Sequence, residues 1–300
     1  MSRTKRIAAG LTIAAAVVIV LFVVLTTARP GGRALPDYEP DLANGEAMYR
    51  AGGCLSCHKA VDAIGVTGPP IGNAPFETPV GIFWPGNLTP DPETGLGSWK
   101  AEQFVDAMTR GVSPDGRHYF PAFPYPSYRI MHGEDVLDLW AYLQALEPVR
   151  SPPRAPDVPQ LGLARRGVGL WKMLALGEEG FQPDPSRSDT WNRGAYLTRG
   201  PGHCGECHTP RNGLMIPDEA RAMAGGPHPR GDEGRVPSLI DLEGRERYSD
   251  VSDLVLALQF GETFGYDKLS SGGMADIQRN LAMLPEEDLR AIAEYLLSLE

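Results

Sequence analysis

Two five-residue stretches, CLSCH at residues 54–58 and CGECH at 204–208, hold all four cysteines of this 300-residue chain. Two thiols three positions apart can add to the two vinyl groups of one haem. The histidine that follows then lies against the iron and supplies its proximal imidazole. Competing chemistries fit the spacing poorly. A single four-cysteine zinc site would leave 146 residues between the pairs, against about 15–20 in zinc ribbons. Redox disulfides do not require histidine after the second cysteine both times, and no βαβ pattern accompanies them. Structural disulfides within such tight pairs would close loops too short to stabilise much. The motifs therefore predict two covalently attached haem c groups, bound by Cys54, Cys57, Cys204 and Cys207, with His58 and His208 as iron ligands.

The surroundings of the motifs repeat. NGEAMYRAGGCLSCH (44–58) parallels NRGAYLTRGPGHCGECH (192–208), the second being two residues longer before its first cysteine when Asn44 is matched to Asn192. Each begins as a short helix with apolar residues on one face, Ala47 and Met48 in one, Ala195 and Leu197 in the other. Each copy closes on another helix. Val136, Leu139, Trp140 and Leu143 form one apolar stripe, and Leu289, Ile292, Ala293 and Leu296 the other. Acidic residues crowd both helix starts, as the macrodipole favours, and Pro285 suits a first helical position. Middle helices are predicted around Ala101–Thr109 and Val251–Phe260, ending at Gly111 and Gly261.

Between the copies, PVRSPPRAPDVP (148–159) has five prolines in twelve residues and reads as a semi-rigid spacer. The following LARRGVGLWKMLAL (163–176) is helical in pattern, and Leu170, Trp171, Leu174 and Leu176 suggest packing between the copies. At the N-terminus, Arg3, Lys5 and Arg6 precede an uncharged run from Ile7 to Thr27. Its aliphatic content favours bilayer insertion by roughly 4–7 kcal/mol, and its length just spans a bilayer core. It reads as an uncleaved anchor, with a cleaved signal peptide as the alternative. The organisation predicted is an anchor at 1–33, a first domain at 34–148, a linker and connecting helix at 149–185, and a second domain at 186–300.

Residues 34–300 carry 23 basic and 38 acidic side chains, a net charge of −15. Such a surface excludes nucleic acid as a natural partner. No Gly-rich phosphate loop, nucleophile–base pair or telling carboxylate pair is visible.

Small helical domains with CxxCH near the start and a terminal helix resemble class I cytochromes c. NLTPDPETGLGSW (87–99), YFPAFPYPSY (119–128), WNRGAYL (191–197) and GHCGECHTPRN (202–212) are similar to the membrane-bound cytochrome c subunits of bacterial alcohol, gluconate and fructose dehydrogenases and related molybdenum aldehyde dehydrogenases. That family commonly carries three haems, and this chain has motifs for two. The resemblance implies a mainly α fold of two tandem class I cytochrome c domains with long loops, preceded by an N-terminal transmembrane helix. It implies electron transfer from a periplasmic or membrane dehydrogenase subunit to quinone, a soluble cytochrome or a terminal oxidase. The chain would act as the electron-transfer subunit of an oxidoreductase complex, and would sit in a bacterial inner membrane with its haem domains facing the periplasm.

The resemblance also implies that the distal ligand is a methionine in the loop before the last helix. Met274, eleven residues before Pro285, matches that position in the second copy, while Met283 fits a core position. In the first copy the loop RHYFPAFPYPSY (117–128) corresponds to one that reads PAMPY in many relatives, whose methionine binds iron. Here Phe123 stands there and cannot coordinate. Met131 is the nearest substitute in sequence, followed by His118, His132 and Met108, although Met131 aligns with Leu284 and also suits a core position. The remaining alternative is an open sixth position, which would admit small ligands or haem-based catalysis at the first site.

Overall fold

A computed structural model of the chain describes residues 2–31, 34–63, 65–229, 234–242, 244, 248, 250–261 and 273–300. In chain order its elements are α1 (Arg3–Leu25), α2 (Leu42–Ala51), α3 (Cys54–His58), β1 (Phe76–Thr78), β2 (Gly81–Phe83), α4 (Ala101–Arg110), α5 (Tyr125–Tyr128), α6 (Gly133–Gln144) and α7 (Leu161–Ala175). They continue with α8 (Asp189–Arg199), α9 (Gly205–His208), β3 (Gly226–Pro227), β4 (Arg235–Val236), α10 (Val251–Phe260), α11 (Gly273–Leu281) and α12 (Glu286–Leu297). The architecture is mainly helical. The strands form two small antiparallel hairpins, with Phe76 opposite Phe83 and Gly226 opposite Val236.

Local chemistry explains the helix limits. The Asp41 carboxylate accepts from the Ala43 amide at 2.8 Å and so caps α2, and the Ser188 hydroxyl caps α8 through the Trp191 amide at 3.0 Å. As the sequence predicts, α4 and α10 stop at Gly111 and Gly261, which take the left-handed conformation at φ +60° and +71°.

Two helix crossings carry the fold. Helix α2 lies across α6 and α8 across α12, each at a glycine. A Cβ on Gly45 would strike the Asp138 carbonyl, and one on Gly194 the Ala291 carbonyl. The structural equivalence is therefore Gly45 with Gly194, not Asn44 with Asn192, so the second copy is one residue longer before its first cysteine rather than two. Close backbone approach sets the register, and side-chain identity follows. Asn44 donates to Asp135 and Asp138 at 2.6 and 2.7 Å, while Arg193 grips Asp288 with two bonds of 2.8 and 2.9 Å. The predicted stripes of α6 and α12 face the core: Val136, Leu139, Leu143, Leu289, Ile292, Ala293 and Leu296 are all at most 5% exposed, and Trp140 is half-buried against it. Each large aliphatic residue so buried contributes about 1.5–3 kcal/mol. Both halves share one hydrophobic core.

Two expectations are corrected. Met283 is exposed, and Leu281 and Leu284 fill the core beside it. Met274 stands in the first turn of a helix, α11, rather than in a loop; residues 262–272 lie outside the described ones. Helix α7 buries Val168, Gly169 and Lys172, leaves Leu163 and Met173 exposed, and turns Leu170, Trp171 and Leu174 to a large cavity between the two halves. Gly169 lets the helix come close on its buried side: its bare backbone lies against Thr26 and His118, where a Cβ would come within 2.8 Å of Thr26 Cα. Trp171 alone of the predicted contacts bridges the halves by a polar bond, donating to the Leu214 carbonyl at 2.8 Å.

Helix α1 has 23 residues and buries none of them. At 1.5 Å per residue it is about 35 Å long. Among the described residues it is the one helix long and apolar enough to cross a membrane.

Candidate functional site

Each CxxCH motif forms a single helical turn. Gly53, at φ +53°, turns the chain from α2 into α3, and its missing Cβ leaves room for Ile277 of α11, which would otherwise be 2.7 Å away. Burial, with the neighbouring thiol adding, pushes the Cys54 and Cys204 thiols up to about 12, so both rest as neutral thiols. Cys207 is the more accessible thiol of its pair.

The two histidines are held alike. His58 Nδ1 lies 2.7 Å from the Gly86 carbonyl, and His208 Nδ1 lies 2.9 Å from the Pro237 carbonyl. A carbonyl can only accept, so Nδ1 carries the proton and Nε2 keeps its lone pair, the tautomer a metal needs. Burial holds both imidazoles below their ordinary pKa and favours the neutral form. The main-chain carbonyls of the same histidines accept from glycine amides, Gly72 and Gly225, both at 2.7 Å. Sequence reading missed these supports. Their signal was the near-constant separation of 28 and 29 residues from histidine to carbonyl, in WPG and RVP, which no periodicity reveals.

Both motifs open onto one cavity of about 2400 Å³, well above the roughly 300–1,000 Å³ of ordinary small-molecule pockets. Phe104, Phe123, Tyr128 and Leu143 wall its first end, and Leu254, Leu258, Ile292 and Leu296 its second. The turns meet through reciprocal contacts. Ser127 and Tyr128 of the first half reach Glu206 and His203 beside the second motif. From the second half, Asp276 pairs with Lys59 at 2.6 Å and Asn280 with Ser56 at 3.1 Å. His203 Nε2 lies 3.2 Å from the Gly52 carbonyl. An apolar slot, paired thiols on one turn and an imidazole with its free nitrogen available fit a covalently held porphyrin. Among the described residues no group of three or more His, Cys, Asp or Glu converges to hold a bare ion, so the zinc alternative has no geometry there.

Cys54, Cys57, His58, Cys204, Cys207, His208 and Met274 all line the cavity. Met131 does not: it is 1% exposed within the core just before α6, in the same register as buried Leu284. His118 lies between the Thr26 carbonyl and Lys172 Nζ, at 3.1 Å from each, and His132 stacks on Tyr196 at 4.6 Å. Neither borders the cavity. Met108 of α4 does.

These features define a c-type cytochrome. Residues 42–147 match the cytochrome c family. The chain is 40% identical over 257 residues to a dihaem cytochrome c-type protein of Cereibacter sphaeroides, covering 85% of each. It is 34% identical to the cytochrome c subunit of the quinone-dependent alcohol dehydrogenase of Gluconacetobacter polyoxogenes, over 88% of this chain and 57% of that subunit. With the fructose dehydrogenase cytochrome subunit of Gluconobacter japonicus it shares 34% identity over 87% of this chain and 53% of that subunit. The chain thus spans little more than half the length of these two dehydrogenase subunits. It belongs to the cytochrome c family, in the group that includes the dihaem cytochrome and the cytochrome subunits of dehydrogenases. Its prosthetic group is covalently bound haem c.

Proposed function

We propose that the chain is an electron-transfer subunit with two haem c groups, one in each of two tandem class I cytochrome c domains at 34–148 and 186–300. Segment 149–185 joins them, and residues 1–33 anchor them to a bacterial inner membrane with the haem domains facing the periplasm. The observation that carries this reading is that both CxxCH turns open onto one cavity, each with its histidine Nδ1 committed to a backbone carbonyl. Cys54 with Cys57, and Cys204 with Cys207, would hold the porphyrins by thioether bonds. His58 and His208 would present Nε2 to iron, and Met274 would supply a sulfur ligand in the second domain.

When bound, haem iron supplies a one-electron couple. The chain's own residues do the rest. Gly86 and Pro237 orient the imidazoles, and axial ligand and burial set the potential. Aromatic and aliphatic walls exclude water, and the Lys59–Asp276 and Ser127–Glu206 contacts hold the attachment turns together.

The names of the dehydrogenase relatives support a periplasmic or membrane dehydrogenase as electron donor. The acceptor is quinone, a soluble cytochrome or a terminal oxidase. Substrate chemistry belongs to the partner. Catalysis at an open first site is disfavoured because the nearby imidazoles able to move protons are engaged, His118 and His132 away from the cavity and His203 by the Gly52 carbonyl.

The test is purification from membranes of cells able to attach haem c. Intact mass should include two haems, and the Cys204→Ala, Cys207→Ala variant one. Substrate of a co-purifying dehydrogenase should bleach the oxidised spectrum. A colourless product, or one haem in the unaltered protein, refutes the reading.

A further inference from the structure

Phe123 leaves the first site without the sulfur its loop would otherwise supply. The first half contains three methionines and two histidines besides His58, and their placement is selective. Met48 and Met131 are each 1% exposed in the core and border no part of the cavity. His118 and His132 are engaged elsewhere. Met108 is 7% exposed and lines the cavity, one helical turn after Phe104, which lines it too.

The backbone brings Met108 to the compartment that residue 123 occupies. Tyr125 lies flat on Gly111, so closely that a Cβ there would be 2.5 Å from the ring, and the Tyr119 amide donates to the Gly111 carbonyl at 2.8 Å. The loop 117–128 is thereby folded back over the last turn of α4, which carries Met108. Phe123 packs edge-on against Tyr119, Tyr125 and Tyr128, with ring centroids 5.7–6.2 Å apart. His58 is held independently of that loop, by the Gly72 amide and the Gly86 carbonyl. The remaining imidazole and sulfur groups that border the cavity, His203, Met215, His228 and Met274, belong to the second half, and His203 is held by the Gly52 carbonyl.

We propose that Met108 supplies the sixth ligand to the iron at the first motif, its thioether filling the place that the loop tip leaves to a phenyl ring. A thioether is a soft ligand that raises the potential of haem iron. The first site is then a closed, six-coordinate electron carrier rather than a small-molecule site. This rests on the two-haem reading.

The experiment uses the full-length, haem-loaded protein. Met108→Leu conserves volume in a packed site, so haem content should stay at two per chain. The expected results are a lowered potential for one haem and carbon monoxide binding to half of the reduced haem, where the unaltered protein binds none. Met131→Leu should leave both readouts unchanged. Adding Phe123→Met to Met108→Leu should close the site again, and a double variant that still binds carbon monoxide would overturn the shared-compartment geometry. Methyl NMR of the reduced, unaltered protein labelled at methionine gives a measurement that needs no variant to fold. Two methionine methyls should be shifted far upfield by porphyrin ring current, and one alone would overturn the proposal. So would carbon monoxide binding by the unaltered protein, or an unchanged spectrum in Met108→Leu. A chain that never acquires two haems would instead refute the two-haem reading beneath it.

Discussion

Gly194→Ala tests the crossing that positions the second motif. Helix α8 leads into CGECH, and α12 carries Ile292 and Leu296 to the cavity wall. At their crossing a new methyl would collide with the Ala291 carbonyl oxygen, lie 2.5 Å from its carbon and 2.9 Å from Tyr295 Cβ. Carbon atoms rest at roughly 3.5–4.0 Å, so the helices must part by about 1 Å. The obstacle is backbone and cannot swing aside. Overpacking of this kind costs about 1–3 kcal/mol, while alanine's better helix propensity returns about 0.8–1 kcal/mol. A backbone obstacle puts the cost at the upper end of that range, so the net loss should be about 2 kcal/mol, a fall in Tm of roughly 10 °C for units of this size. Gly45→Ala should behave alike. Gly162→Ala in the first turn of α7, where nothing lies within 4 Å and no cavity adjoins, should have the opposite sign and gain up to about 0.5–1 kcal/mol. Guanidinium unfolding of the haem-loaded proteins, followed by far-ultraviolet circular dichroism and Soret absorbance, measures all three. Gly194→Ala unfolding at or above the unaltered midpoint would refute the close-approach reasoning.

Tyr196→Phe removes a hydroxyl that donates to Asp135 and accepts from the His132 amide at 3.2 Å, bonds that tie α8 to the cap of α6. It should cost about 1–3 kcal/mol and separate the unfolding of the halves, and a midpoint unchanged under denaturant would count against the tie. Lys172 Nζ is buried below Tyr125 and donates to the Arg110 and Gly111 carbonyls at 2.6 and 2.7 Å. Burial first, and the Arg110 charge second, push its pKa down to about 7. The unfolded chain holds that proton to about pH 10.4, so it binds more protons than the folded chain between about 7 and 10.4, and stability rises with pH there. The slope should reach about 1.4 kcal/mol per pH unit. His118, held below its ordinary value by burial and by Lys172, titrates beneath this window. Lys172→Met should flatten the rise, and an identical slope in the variant would refute the assignment. Deleting residues 2–27 should release the protein from membranes into the soluble fraction while keeping its haem, which fractionation and absorbance would check.

Much of the site was legible from residue order because its chemistry is local. Two thiols and an imidazole on one helical turn need five consecutive residues and nothing else. Helix periodicity likewise exposed α6 and α12, and glycine in the left-handed region marked the ends of α4 and α10 before any coordinates. Charge-free length announced α1. What adjacency along the chain could not say is which side chain faces which space. Met131 is the nearer sulfur by sequence, yet it points into the core because it occupies the register of Leu284, while Met108, fifty residues from His58, lines the cavity. The asparagines looked equivalent, but the glycines at the two crossings are the true pair, since steric approach between backbones is invisible in a string of letters. Leu170 and Leu174 read as contacts between the copies, and only the fold shows that they face the cavity onto which both motifs open. The carbonyls of Gly86 and Pro237 carry no side-chain signature at all, and only folding brings them to the imidazoles. Covalent chemistry is written in neighbours along the chain. Orientation toward a shared cavity depends on how helices pack, and packing is decided by the whole chain at once.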